Sequence, residues 1–125
     1  MARSQLRSKR KASGGRYHSA RTKKKSELAG YQANTKLDEN NKVRVTRTIG
    51  GNIKRSLLSS NKVNVTGTKG KTEVTEITNV VDNPANPHLV RRNIITKGAI
   101  VETKIGKVKI TSRPGQEGVL NGVKV

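Results

Sequence analysis

Residues 42–125 carry a pattern that is typical of β-strands. Their large aliphatic side chains are mainly valine and isoleucine, whose branching at Cβ suits a pleated strand better than a helix. Many of them alternate with polar residues, as in Val63-Asn64-Val65 and Val108-Lys109-Ile110. This period of two is that of a strand with one buried face. The region is therefore predicted to be mainly β.

Turn-forming residues divide this region into short segments. Candidate strands are 42–49, 53–58, 62–66, 71–81, 93–96, 99–105, 107–112 and 118–125. The residues between them favour turns, at Gly50-Gly51, Ser59-Ser60-Asn61, Gly67–Gly70, Lys97-Gly98, Gly106 and Arg113-Pro114-Gly115. Short strands at such close spacing predict a small antiparallel β-barrel, whose closure also removes exposed sheet edges.

One segment departs from this pattern. The run from Asn83 to Pro87 contains two Asn-Pro steps, each of which disfavours the helical region for its asparagine, so a rigid irregular loop is predicted. Residues 88–92 follow the loop and are expected to form one helical turn. Arg91 and Arg92 are then either a surface charge pair or a phosphate clamp held by a stiff loop, and we favour the clamp.

The first 25 residues are strongly basic. They contain ten basic residues and no acid: Arg3, Arg7, Lys9, Arg10, Lys11, Arg16, Arg21, Lys23, Lys24 and Lys25. Because the stretch has few apolar groups to bury and Gly14-Gly15 interrupts any helical period, we expect an extended arm that is mobile when free. A solvated tail or a localisation signal is the simpler alternative, but ten uncompensated charges favour contact with nucleic acid.

The change in composition divides the chain at about residue 40. Residues 1–40 are predicted to be a basic extended arm and connector, with Tyr31 and Leu37 as possible anchors of the connector. Residues 41–125 are predicted to be the β-barrel domain. This division agrees with the length, because 125 residues accommodate one ordinary domain and an arm.

The net charge of +19 indicates a partner that is a dense anion. A membrane is not favoured, because the chain has neither a long apolar span nor a basic amphipathic helix with bulky apolar residues. An extracellular polysaccharide is not favoured either, because the first 25 residues contain no apolar segment of a signal peptide. The absence of cysteine fits a reducing compartment. Nucleic acid remains as the expected partner.

The residues that carry most catalytic and metal chemistry are scarce. There is no cysteine, and of the two histidines His18 lies in the arm and His88 follows the Asn-Pro loop. Glu73 and Glu76 are three residues apart on a predicted strand and would face opposite sides. We therefore expect no enzyme activity, no cofactor, no bound metal and no small-molecule substrate.

Residues 67–72 imitate part of a phosphate-binding loop, because they end in Gly-Lys-Thr. The complete motif needs a glycine at the position of Val65 and a helix after the loop, whereas a strand is predicted to follow here. We interpret the segment as a hairpin turn.

The aromatic residues limit how nucleic acid could be recognised. Tyr17 and Tyr31 are the only two, and neither lies in the predicted barrel. The barrel therefore lacks the aromatic platform on which many single-strand readers stack bases. Recognition is expected to depend on phosphates, sugar hydroxyls and the shape of folded RNA.

Four segments resemble the S8e family of small-subunit ribosomal proteins, which is found in archaea and eukaryotes. They are Asn83–Thr103, Thr111–Gly118, Gly50–Asn52, and Arg10–Arg16 with the lysine run 23–25. Ser13 stands where the family more often has threonine, which keeps the hydroxyl. The length is similar to that of the short archaeal form, without the insertion of eukaryotic members.

The resemblance implies a β-barrel, an arm lying in ribosomal RNA and a structural role in the small subunit of cytoplasmic ribosomes. It implies small-subunit rRNA and neighbouring ribosomal proteins as partners. Carried over by position, the expected rRNA contacts are the ten basic residues of the arm, Arg91, Arg92 and Arg113. Charge alone leaves open a free-standing nucleic-acid chaperone or compaction protein.

Overall fold

The computed structural model describes residues 8–18, 21, 24, 30–67 and 70–125. The chain forms two compact units, Met1–Gln32 and Ala33–Val125. The described residues of the second unit form seven strands and two single-turn helices. They are β1 (Lys42–Arg47), β2 (Ile53–Ser59), β3 (Lys62–Thr66), β4 (Thr72–Asp82), α1 (His88–Arg91), β5 (Ile100–Thr103), β6 (Gly106–Ile110), α2 (Pro114–Glu117) and β7 (Asn121–Lys124), with a 3₁₀ turn at Ile49–Gly51 between β1 and β2.

Strands β3 to β7 form a closed barrel in chain order. Each strand pairs antiparallel with the next, so in a meander of five the last strand runs in the same direction as the first. The barrel consequently closes through a parallel pair, in which Asn64 lies opposite Asn121 and their side-chain amides are hydrogen-bonded at 3.0 Å. The predicted fold class, mainly β with a small closed barrel, is confirmed, and the parallel closing pair is the exception to its antiparallel pairing.

The barrel interior is filled by the residues whose alternation predicted the strands. Val63, Val65, Val108 and Ile110 are each at most 3% exposed. The core is completed by Leu57, Ile77, Val80, Ile95, Val101 and Leu120. Where β7 pairs with β6, Gly122 lies so close to the side chain of Val108 that an added Cβ atom would overlap it. The core is therefore small, aliphatic and tightly packed.

Strands β1 and β2 form a separate two-stranded hairpin. Both strands were predicted and are confirmed, but they lie outside the closed barrel. The hairpin is attached by the end of β2, where Ser56, Leu57 and Ser59 are buried. The other half, from Val43 to Arg55, is mostly exposed.

The prediction of a strand at 93–96 is wrong. Asn93 has a left-handed backbone with φ of 50°, which interrupts an extended segment. Ile94 and Ile95 are both buried, at 0% and 1% exposure, whereas neighbouring residues of a strand would face opposite sides. Ile94 makes a single bridge to Lys36 instead. Two consecutive buried isoleucines therefore reflect a packed loop.

Two predicted turns also differ from the structure. Gly106 begins β6, and the proposed turn at 113–115 is the start of α2. Pro114 occupies the first turn of this helix, where its missing N–H costs nothing. Gly118 ends the helix with φ of 73°, so residues 118–120 precede β7 rather than extend it.

A short segment before β1, Thr35–Leu37, crosses the end of the barrel, and we call it the strap. Lys36 N–H donates to the Leu58 carbonyl at 2.9 Å, and Leu37 N–H donates to the Asn93 carbonyl at 3.0 Å. The buried hydroxyl of Thr35 donates to the Leu57 carbonyl at 2.6 Å. The strap therefore joins the end of β2 to the loop before β5. Leu37 also packs against the core, as expected of an anchor.

Candidate nucleic-acid interface

Residues 9–17 fold into a compact turn, which we call the basic turn. Tyr17 N–H donates to the Lys9 carbonyl at 3.2 Å, and Lys11 N–H donates to the Gly15 carbonyl at 2.7 Å. Gly14 reverses the chain with φ of 85°, a conformation that glycine adopts without strain. Local backbone hydrogen bonds thus give a defined turn to a segment that was expected from its sequence to be extended.

The basic turn gathers four of the predicted contact residues in one place. Arg10 and Arg16 lie opposite each other in a β-bridge, and Lys9 and Lys11 flank Arg10. The Arg10 guanidinium donates to the Gly14 carbonyl at 3.1 Å. The Lys11 ammonium lies 5.7 Å from the centre of the Tyr17 ring. Because like charges placed opposite each other repel, this arrangement favours an anion beside it.

The other predicted contacts of the arm are less informative. Arg21 and Lys24 are exposed, and each makes an interaction within the chain. Arg3, Arg7, Lys23 and Lys25 lie outside the described residues. Tyr31, the other proposed anchor, is 75% exposed.

The Asn-Pro loop is organised around the buried side chain of Asn83. Its Oδ1 accepts hydrogen bonds from Ala85 N–H at 3.1 Å and from the Thr96 hydroxyl at 3.0 Å. Its Nδ2 donates to the Ile94 carbonyl at 3.4 Å. A fully buried amide with partners on both of its polar atoms fixes the two ends of the loop to each other. The predicted irregular loop is confirmed.

Helix α1 follows directly and presents the two arginines. Asn86 Oδ1 accepts a hydrogen bond from His88 N–H at 2.9 Å, which satisfies a free donor at the start of the helix. Arg91 and Arg92 end the turn with exposed side chains, and neither guanidinium is hydrogen-bonded or ion-paired within the described part of the chain. The one-turn helix was predicted and is confirmed. Two unpaired guanidinium groups on an anchored loop have the geometry of an anion contact.

Arg113 is placed differently from Arg91 and Arg92, the other two predicted contacts of the barrel unit. It precedes α2, and its Nε lies 3.9 Å from a carboxylate oxygen of Glu117. Both side chains are about half exposed, and a surface pair at this distance contributes little to stability. The nearby carboxylate nevertheless reduces the local positive potential.

Acidic residues collect at an open cleft of the barrel unit. Asp38, Glu39 and Glu76 line it, together with Lys104. Lys104 donates to the Glu76 carboxylate at 2.6 Å. This hydrogen bond and the lysine charge lower the pKa of Glu76 below its usual value. The carboxylates of the cleft would repel a phosphate group, so the cleft is poorly suited to bind RNA.

The remaining motifs do not form a reactive site. No cluster of three or more metal-ligating side chains occurs within residues 8–18, 21, 24, 30–67 and 70–125. The segment that imitates a phosphate-binding loop connects β3 to β4, where Gly67 N–H donates to the Lys71 carbonyl at 2.9 Å. The prediction of a hairpin is confirmed by the described residues on either side, and Thr68 and Lys69 lie outside the described residues. No helix in the described part of the chain is long and apolar enough to cross a membrane.

The positive charge of the β1–β2 hairpin was not among the predicted contacts. Residues 42–59 contain five basic residues and no acid: Lys42, Arg44, Arg47, Lys54 and Arg55. The signal was present as an acid-free stretch, but alternation with valines made these residues resemble the polar face of an ordinary strand.

Comparison with known proteins supports the resemblance over the whole chain. The model of the family Ribosomal protein S8e matches residues 4–125. Small ribosomal subunit protein eS8 of Methanobrevibacter smithii is 51% identical over 126 residues, covering 100% of both chains. The protein of that name from Methanococcus aeolicus is 48% identical over 94% of this chain and 93% of its own. The one from Methanococcoides burtonii is 48% identical over 97% of each. With its barrel, Asn-Pro loop and basic turn all inside the matched region, the chain belongs to the Ribosomal protein S8e family.

Proposed function

We propose that the protein is a structural constituent of the small ribosomal subunit, where it binds and stabilises folded small-subunit rRNA and so supports translation. The observation that carries this proposal is the similarity to proteins named small ribosomal subunit protein eS8, which extends over nearly the full length of both chains. The position in the cytoplasmic ribosome and contact with neighbouring ribosomal proteins follow from the same similarity.

The placement of charge supports phosphate contact at two sites. The basic turn exposes Lys9, Arg10, Lys11 and Arg16 within one short segment. The Asn-Pro loop exposes Arg91 and Arg92 on a backbone fixed by Asn83. Cations carried by a fixed backbone lose less conformational freedom on binding than cations on a flexible chain, so both sites suit a partner of fixed shape. The other arm residues and Arg113 extend these contacts.

The barrel surface supports recognition by shape rather than by base sequence. Its exposed side chains include no aromatic residue, because the chain has only Tyr17 and Tyr31. Guanidinium and ammonium groups can bind phosphates and 2′-hydroxyl groups of a folded RNA without reading base edges. The role is one of binding and stabilisation, without a catalytic step.

Sedimentation tests the proposal. An affinity-tagged copy of the full chain is expressed in a methanogenic archaeon, and ribosomal subunits are separated on a gradient after a wash in moderate salt. We expect the tagged chain to co-sediment with small subunits and to be nearly absent from large subunits. Recovery mainly in the free fraction, with no enrichment on small subunits, would contradict the proposal.

The same experiment separates the proposal from a free-standing nucleic-acid chaperone. A chaperone would bind through bulk charge and distribute over many RNAs, so its share on small subunits would follow RNA mass. A ribosomal constituent is held by shape as well as charge, and it should remain near one copy per small subunit after the wash.

A further inference from the structure

The β1–β2 hairpin combines an exposed position with purely positive charge. It lies outside the closed barrel, and residues 42–59 contain five basic residues and no acid. Among the described residues, the ion pairs Lys104–Glu76 and Arg113–Glu117 lie outside it, while Arg44 of the hairpin makes an interaction of its own within the chain. Because two-stranded hairpins are only marginally stable by themselves, the exposed part of this one would gain stability from a partner.

The base of the hairpin is firmly attached to the barrel unit. The Ser56 hydroxyl donates to the Gly115 carbonyl of α2 at 2.7 Å, and Leu57 is 1% exposed in the core. Gly118, at the end of α2, lies so close to Arg55 that an added Cβ would be 3.1 Å from the Arg55 Cβ. The hairpin therefore projects from a rigid support.

The tip of the hairpin is ordered by its own hydrogen bonds. Thr48 N–H donates to the Asn52 carbonyl at 2.8 Å, and the Asn52 amide donates to the Ile49 carbonyl at 3.2 Å. Gly50 and Gly51 complete the turn with φ of 79° and 76°. This turn holds Ile49 at 96% exposure. With Val45 and Ile53, which are 61% and 63% exposed, Ile49 makes the hairpin rich in exposed aliphatic groups, and such a group of apolar side chains indicates a binding surface.

One face of the hairpin mixes guanidinium and aliphatic groups. In the register, Val45 lies opposite Arg55 and Arg47 lies opposite Ile53, and opposite residues of an antiparallel pair share a face. Val45 is 61% exposed and Ile53 is 63% exposed. Lys54 extends from the other face. Aliphatic groups between cations match an RNA surface, where sugar and base faces alternate with phosphates.

From these observations we infer that the β1–β2 hairpin is a third rRNA-binding element, in addition to the basic turn and the Asn-Pro loop. Arg47, Lys54 and Arg55 contact phosphates, and Ile49 at the tip packs against sugar or base faces of the same RNA. A protein partner would have to offer several acidic groups to a ribbon with no acid of its own, whereas RNA supplies negative charge at every nucleotide. The inference rests on the proposed function and adds a site to it.

Binding of the full chain to purified, protein-free small-subunit rRNA tests the inference. The dissociation constant is measured between 50 and 300 mM salt for the wild type, for R47Q/K54Q/R55Q and for I49S. The triple variant should weaken binding roughly tenfold or more near 150 mM salt, and the slope of log K against log salt should fall by about two to three. I49S should weaken binding by about tenfold without changing the slope, because it removes only apolar contact.

A matched triple variant of the barrel, K97Q/K107Q/K109Q, removes the same charge from other exposed positions. It should lower the slope by less than one. Equal slopes for the two triple variants would overturn the inference, because the hairpin would then act only through bulk charge. An unchanged affinity of I49S would overturn the tip contact.

Two further outcomes distinguish a failure of this inference from a failure of the proposed function. If the hairpin variants bind rRNA normally but are lost from assembled small subunits, the hairpin contacts a neighbouring protein and the inference is wrong. If the wild type itself does not prefer small-subunit rRNA to a non-ribosomal RNA of equal length, the proposed function fails instead.

Discussion

The side chain of Asn83 connects the fold to the candidate interface. It is completely buried, and its amide bonds Ala85, Ile94 and Thr96 at once. Arg91 and Arg92 lie between these partners in the chain. The position of both guanidinium groups therefore depends on one amide, which no smaller or apolar side chain can replace.

Replacing Asn83 should consequently destabilise the protein and disturb the Asn-Pro loop, which positions Arg91 and Arg92. We expect N83A to lower the free energy of unfolding by about 2–4 kcal/mol, because the Ala85 N–H, the Thr96 hydroxyl and the Ile94 carbonyl lose their shared partner. Urea unfolding followed by circular dichroism measures the change. N86A is the matched control, since it removes one exposed hydrogen bond and should cost about 1 kcal/mol or less. Equal losses for the two variants would contradict this account.

The barrel contains two threonines whose hydroxyls have opposite roles. The Thr75 hydroxyl is shielded from solvent and has no hydrogen-bond partner among the described residues. The Thr103 hydroxyl donates to the Gly106 carbonyl at 2.8 Å. Because valine has nearly the same shape as threonine, T75V should stabilise the barrel by about 1 kcal/mol and T103V should destabilise it by about as much. Urea midpoints that move in the same direction for both variants would show that the hydroxyls are not distinguished in this way.

At the scale of elements, the strap explains why the barrel unit begins before β1. Thr35, Lys36 and Leu37 are bonded to the end of β2 and to the loop before β5. A chain that starts at residue 33 keeps these contacts, and one that starts at residue 41 loses them. We expect 33–125 to unfold at a midpoint close to that of the full chain. The free energy of unfolding of 41–125 should fall by about 5 kcal/mol, because the five hydrogen bonds of the strap are lost and each contributes roughly 1 kcal/mol. Equal midpoints for the two fragments would show that the strap contributes nothing.

Arg91 and Arg92, beside the Asn-Pro loop, should contribute to RNA binding through their charge alone. In R91Q/R92Q the exposed guanidinium groups are lost while the loop and core are kept, so the unfolding midpoint should not change. The slope of log K against log salt for small-subunit rRNA should fall by about two, one for each lost phosphate contact. K104Q is the control, because Lys104 lies at the acidic cleft beside Glu76. A slope that falls as much in K104Q as in the double variant would remove the case for a specific contact.

Most strands could be predicted from the sequence, but their assembly could not. Alternation with polar residues predicted a strand at Val63-Val65 and at Val43-Val45 alike. The first pair is buried in the barrel, whereas Val43 and Val45 are 42% and 61% exposed. A period of two reports a strand and says nothing about what covers its apolar face. The strand predicted at 93–96 failed for a related reason, since two adjacent isoleucines satisfy β-propensity while their burial depends on the strap and on Asn83.

For the molecule as a whole, composition predicts a type of partner, and similarity to known proteins shows the family. A charge of +19 with 8 acidic residues predicts a polyanion from sequence alone. The irregular loop that carries Arg91 and Arg92 could also be predicted, because two Asn-Pro steps disfavour a helix there. The basic turn could not, because its shape depends on hydrogen bonds such as that from Lys11 to Gly15. The hairpin charge was missed because its significance depends on lying outside the barrel.

Tethered cleavage inside assembled small subunits tests the central claim most directly. The chain has no cysteine, so a single cysteine at Ser13 or at Ala85 carries an iron chelate at one defined place, in the basic turn or in the Asn-Pro loop. Both probes should cut small-subunit rRNA at a few discrete sites and leave large-subunit rRNA intact, while the cysteine-free chain treated in the same way gives no cuts. No cleavage from either position, or weak cleavage spread evenly over both rRNAs, would contradict a structural role in the small subunit.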